Sequence, residues 1–133
     1  MNTLSSGPAS HTSVYILVYG SDPLLLDTRT MVLENAGFAV FTAREASDVE
    51  RIVLSQKISL IVLCHTLSSE KCEAALELAE SRRPAMRSLV LTAGTTPCSE
   101  RSHDAILSAF DGPRKLVETV EKLLQAIPVA SGR

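Results

Sequence analysis

A chain of 133 residues, 45% hydrophobic and 21% charged, has the size and composition of one globular domain with a core of its own. A formal net charge of −2 excludes a general electrostatic attraction to nucleic acid or to an anionic membrane surface. No apolar run reaches the roughly 20 residues of a transmembrane helix, the polar start Met1–Ser13 has no signal-peptide layout, and three cysteines make no disulfide framework. The chain reads as soluble and cytoplasmic, with reduced thiols.

Residues 1–13 are rich in Ser, Thr, Gly and Pro and read as a disordered leader. Val14–Tyr19 is an apolar run of strand length and composition. Asp22 is a natural helix N-cap, with Pro23 at the first helical position. The helix that follows is predicted to place Leu25, Thr28, Val32 and Ala36 on its inner face and to end at a left-handed Gly37. Phe38–Phe41 is a second strand. A second helix runs from about Glu45 to Ser55, with Ala46, Val49 and Val53 inward and Asp48, Glu50 and Arg51 outward.

Ile58–Cys64 is a short, almost uninterrupted apolar run rich in β-branched residues, as expected of a middle strand buried on both faces. Ser69 can cap a third helix whose stripe is Cys72, Ala75, Leu76 and Ala79. Arg82, Arg83 and Pro84 close it, with positive charge at the negative end of its dipole. Met86–Thr92 is the fourth strand. From Ala93 to His103 the periodicity is lost among loop formers such as Gly94, Pro97 and Ser99. Asp104–Ser108 reads as a fifth strand. Gly112-Pro113 opens a last helix with Leu116, Val120, Leu123, Leu124 and Ile127 on one face, and Pro128 stops it.

Strands alternating with helices over short links imply an α/β, flavodoxin-like three-layer sandwich. Its five-stranded parallel sheet would have the order 2-1-3-4-5, and the fourth helix would be shortened or absent. The ordered domain would span residues 14–127, and 128–133 would form a tail. In such a sheet, sites form beyond the carboxyl ends of the strands, where the first and third lie side by side.

The motifs that stand in this order are Ile16-Leu17-Val18 before Asp22-Pro23-Leu24-Leu25-Leu26, then Glu34-Asn35-Ala36-Gly37-Phe38-Ala39-Val40. Leu60-Ile61-Val62-Leu63, Leu89-Val90-Leu91-Thr92-Ala93 and Phe110 follow. Over residues 14–127 the chain resembles the receiver domain of two-component response regulators, the CheY-like superfamily. Receivers take a phosphoryl group on an aspartate ending the third strand. An acidic pair after the first strand holds Mg²⁺, a Thr or Ser ends the fourth strand, and a Lys ends the fifth. Carried over, the acidic pair falls on Gly20 and Ser21, the phosphoacceptor on Cys64, the switch hydroxyl on Thr92 and the lysine on Ser108. Thr92 keeps the family's residue type; Gly20, Ser21, Cys64 and Ser108 do not.

Mg²⁺ asks for carboxylate oxygens, which Gly20 and Ser21 do not offer, and a thiol at position 64 forms no acyl-phosphate. The resemblance therefore implies a degenerate pseudo-receiver: no enzyme, no cofactor and no metal, but a phosphorylation-independent module of a phosphorelay-type pathway that binds protein partners. In the family, the fourth helix, fifth strand and last helix form the common docking face. A trimmed fourth helix then implies an altered surface, with homodimerisation through the 93–103 loop and the last helix, and no contact with nucleic acid or membrane.

Two rival readings come from the residues themselves. Cys64 at a strand end could be a redox-sensing thiol if a neighbour lowered its pKa, although His65, next along the strand, should point away from it. The Gly20–Asp22 turn before a helix could cradle phosphate or another small ligand through backbone N–H groups. Cys64, His65 and Cys72 fit no zinc spacing. Cys98 reads as an incidental exposed thiol, and Arg82, Arg83 and Arg87 read as a solvated rim.

Overall fold

In a computed structural model of the chain, which describes residues 14–82, 85–94 and 104–125, the alternation holds throughout. The elements are β1 (Tyr15–Tyr19), α1 (Pro23–Asn35), β2 (Ala39–Ala43), α2 (Ala46–Ser55) and β3 (Ile58–Leu63), followed by α3 (Ser69–Ser81), β4 (Arg87–Thr92), β5 (Ala105–Ser108) and α4 (Pro113–Gln125). All strand pairs are parallel, in the order β2-β1-β3-β4-β5. This is the expected 2-1-3-4-5 sheet. Four helices are present among the described residues; most of the stretch expected to carry a shortened fourth helix, residues 95–103, lies outside them, as do the leader 1–13 and the tail.

Burial on both faces explains why the central strands are almost wholly apolar, with Ser59 the exception. Ile16 and Val18 of β1, with Leu60 and Val62 of β3, pack under α1 and α4 against Leu26, Leu33, Leu116 and Val120. Leu17, Tyr19, Ile61 and Leu63 face the other way, against Val49 and Val53 of α2 and Cys72, Leu76 and Ala79 of α3. Each such side chain, fully buried, contributes about 1.5–3 kcal/mol, so one polar substitution in β1 or β3 would unsettle two layers.

Helix ends follow local chemistry. Asp22 caps α1, its Oδ1 accepting from the amides of Leu24 (2.9 Å) and Leu25 (3.4 Å). At the other end the Gly37 amide donates to Glu34 O and the Phe38 amide to Leu33 O, a turn that needs the positive φ of Gly37 (101°). The α3 cap is Ser68, whose Oγ accepts from the Lys71 amide (3.2 Å), not Ser69. Two adjacent serines are equivalent by type, and only the backbone geometry separates them.

Four further expectations are corrected. The face that α1 buries is Leu26, Arg29 and Leu33, one residue on from the predicted set; Thr28 is exposed. In α2, Ile52 is buried and Ala46 exposed. Arg87 is no solvated rim: its side chain is only 17% exposed and pairs with Asp104, itself 7% exposed, at 3.4 Å. The same carboxylate accepts from the Ser88 amide (2.8 Å) and hydroxyl (3.3 Å), fastening the start of β5 to β4. Cys72, fully buried on its expected stripe, is disulfide-bonded, so the expectation of reduced thiols fails there; pairing is not readable from cysteine spacing alone. Arg83 and Cys98 lie outside the described residues. No described helix is long and apolar enough to cross a membrane.

Candidate functional site

In a parallel sheet every strand ends at the same edge, so Gly20, Ser21, Cys64, Thr92 and Ser108 all come to one rim. Gly20 and Cys64 follow β1 and β3, the central neighbours, and extend their ladders. The Gly20 amide donates to Ala43 O (3.1 Å) and the Cys64 amide to Tyr19 O (2.9 Å). Their side-chain positions then collide in space. A Cβ on Gly20 would stand 2.9 Å from Cys64 Cβ, 3.1 Å from its Sγ and 3.2 Å from Thr66 Oγ1. Cys64 is 1% exposed. The room beside it exists because residue 20 has no side chain.

Ser21 and Thr66 complete this packing, the Ser21 amide donating to Thr66 Oγ1 at 3.0 Å. The amides of Gly20, Ser21, Leu24 and Leu25 therefore all have protein acceptors. These are donors an anion at the start of α1 would have used. Thr92 and Ser108 form a separate pair, opposite each other in the β4–β5 register. Thr92 Oγ1 donates to Gly94 O (2.7 Å), and Ser108 Oγ accepts from the Phe110 amide (3.2 Å). Each hydroxyl serves its own turn. Among the described residues, no three His, Cys, Asp or Glu side chains are grouped so as to hold a metal ion.

Sequence reasoning missed Arg29. It projects from the buried face of α1, 8% exposed, and its Nη1 is shut off from solvent with no hydrogen-bond partner. Its guanidinium lies close enough to Cys64 and His65 to act on both electrostatically. Burial pushes the Cys64 thiol above its ordinary pKa, and the nearby Arg29 charge only partly opposes this. A thiol held that way is neutral at pH 7 and a poor nucleophile. His65 is shifted down, first by burial, then by Arg29, with Asp22 opposing. Its ring leans on Phe110, centroids 5.7 Å apart, and its Nδ1 is buried without a partner. Cys64 and His65 thus sit beside the fixed positive charge of Arg29, and the imidazole is neutral at pH 7.

The contact between positions 20 and 64 can be tested by overfilling it. Gly20→Ala is expected to cost about 1–3 kcal/mol, seen as a lower urea midpoint at unchanged slope. Adding Cys64→Gly should recover part of the loss, because the shortest contact is to Cys64 Cβ.

The fold is similar to that of solved receiver domains and response regulators. A response regulator receiver domain protein from Methanospirillum hungatei is 22% identical, with a TM-score of 0.69 over 86% of this chain and 95% of that one. The signal receiver domain of a putative LuxO repressor protein from Vibrio parahaemolyticus matches at 14% identity and a TM-score of 0.73, covering 86% and 92%. An orphan response regulator of H. pylori matches at 16% identity and a TM-score of 0.71, covering 86% and 98%. No family model matches the chain, and no curated protein does. The protein has the CheY-like receiver fold. At these identities the likeness extends to the fold and no further.

Proposed function

We propose that the domain is a receiver-like signalling module that acts by docking on protein partners and is not itself phosphorylated. One observation carries the reading: where a receiver would hold its phosphoacceptor beside a metal-binding pair, Cys64 packs directly on Gly20. A carboxylate at position 20 would have to displace Cys64, so the metal site cannot be regained by a single substitution. Thr92 bonding into its own turn and Ser108 in place of a lysine agree with this. Metal and lysine are the groups that would neutralise charge on a transferring phosphoryl group, and these positions supply neither.

Gly20, Ser21, Cys64, Thr92 and Ser108 are on this view packing positions of a former pocket, within a domain of residues 14–127. Information leaves through the outer faces, with self-association through the 93–103 loop and the last helix as the first surface to test. The test of the central claim is incubation with Mg²⁺ and acetyl phosphate followed by intact-mass measurement, and in parallel with beryllofluoride followed by NMR. No mass gain and unmoved Ser21 and Thr92 amides are expected. A stable gain of one phosphoryl group on this chain would overturn the reading.

A further inference from the structure

Arginine cannot escape burial by losing its proton, so a guanidinium held in a core must be met by an anion, by dipoles or by water. Arg29 is more than nine-tenths buried, has an unpartnered Nη1 and forms no ion pair among the described residues. With Thr28 and Ser108 it also lines a cavity of about 200 Å³ between α1 and α4. The rest of that wall is mainly apolar: Leu25 and Val32 of α1, Leu91 of β4, Leu107 of β5 and Leu116 of α4. An apolar cavity of about 150 Å³ is enough to take a benzene ring. The space and the charge fit the same molecule.

We infer that this cleft binds a small monocarboxylate with a compact apolar body, an aromatic ring or short branched chain, its carboxylate on the Arg29 guanidinium and its body against Val32, Leu91 and Leu116. A carboxylate accepting charge-assisted hydrogen bonds from the guanidinium nitrogens other than Nη1 neutralises the buried charge, while the apolar body leaves water for an apolar wall. Neither half suffices. Acetate would leave the cavity unfilled, and an uncharged ring would leave Arg29, whose side-chain hydrogen bond is to the Cys64 thiol, without a counter-ion. The site faces α1 and α4 on the layer beneath Cys64, so occupation would be felt at the rim and along the last helix.

Benzoate is the probe, added to the full chain with no phosphodonor present, so the result is independent of the phosphorylation test. Saturable shifts are expected at the amides of Arg29, Ser108 and Leu116, with a dose-dependent rise in Tm. Benzyl alcohol, acetate and inorganic phosphate should each fail to produce them at the same concentration. Arg29→Met should weaken benzoate binding by about 10- to 100-fold. Val32→Phe, which fills the cavity and keeps the charge, should abolish binding in a protein whose spectrum is otherwise native. Benzyl alcohol binding as tightly as benzoate, phosphate moving the same amides, or unchanged affinity in either variant would overturn the assignment.

Discussion

Asp104→Ala is expected to destabilise the domain by about 3–5 kcal/mol, the cost of leaving one member of a buried pair without the other. The carboxylate holds three groups at once: Arg87 Nη1 at 3.4 Å, the Ser88 amide at 2.8 Å and the Ser88 hydroxyl at 3.3 Å. In return the Asp104 amide donates to Ser88 Oγ at 3.2 Å. Both side chains of the pair are largely shielded, 17% and 7% exposed, so solvent screening weakens the interaction little. β5 is only four residues long and cannot hold its place on ladder bonds alone; this clamp sets its register one step before Ala105 meets Leu89. Asp104→Asn, which keeps a hydrogen-bond acceptor but drops the charge, should cost less, about 1–3 kcal/mol. Denaturant midpoints measure both. Amide exchange at Ala105–Ser108 should quicken most, because those amides lie nearest the lost contact.

That clamp marks the limit of what the chain discloses when read locally. Sheet order, strand positions and the α3 stripe follow from periodicity, because Cys72, Ala75, Leu76 and Ala79 admit one inward phase. α1 admits two. Leu25 with Val32 and Leu26 with Leu33 are equally apolar pairs at the same spacing. Only residues 28 and 29 distinguish the phases, and an arginine there looks like a surface residue. The wrong phase hid the one charged group that reaches Cys64. Arg87 was likewise hidden, since its partner stands 17 residues away, beyond the reach of any local pattern. Gly20 and Cys64 read in the sequence as two separate departures from a receiver. In space they are one packing arrangement, each shaped to the other.

Arg29→Met is expected to move stability in the opposite direction, raising it by about 1–4 kcal/mol, the upper range found when buried ion pairs are replaced by apolar side chains of similar volume. Methionine keeps an unbranched stem that can follow the path of the arginine between Leu26 and Leu33, two neighbours on the buried face of α1. It removes the unpartnered Nη1 and with it the cost of holding a fixed charge out of water. The Cys64 thiol should respond too. Arg29 is the influence that lowers its pKa, so its loss should leave the thiol slower still to alkylate in the native protein. A higher urea midpoint with slower alkylation would mean that the charge lowers stability, which selection tolerates where a group serves binding. A lower midpoint would mean that backbone dipoles already hold the guanidinium, making Arg29 a structural strut. The sign of a single stability change therefore decides whether the positive charge under this rim belongs to the fold or to something the fold binds.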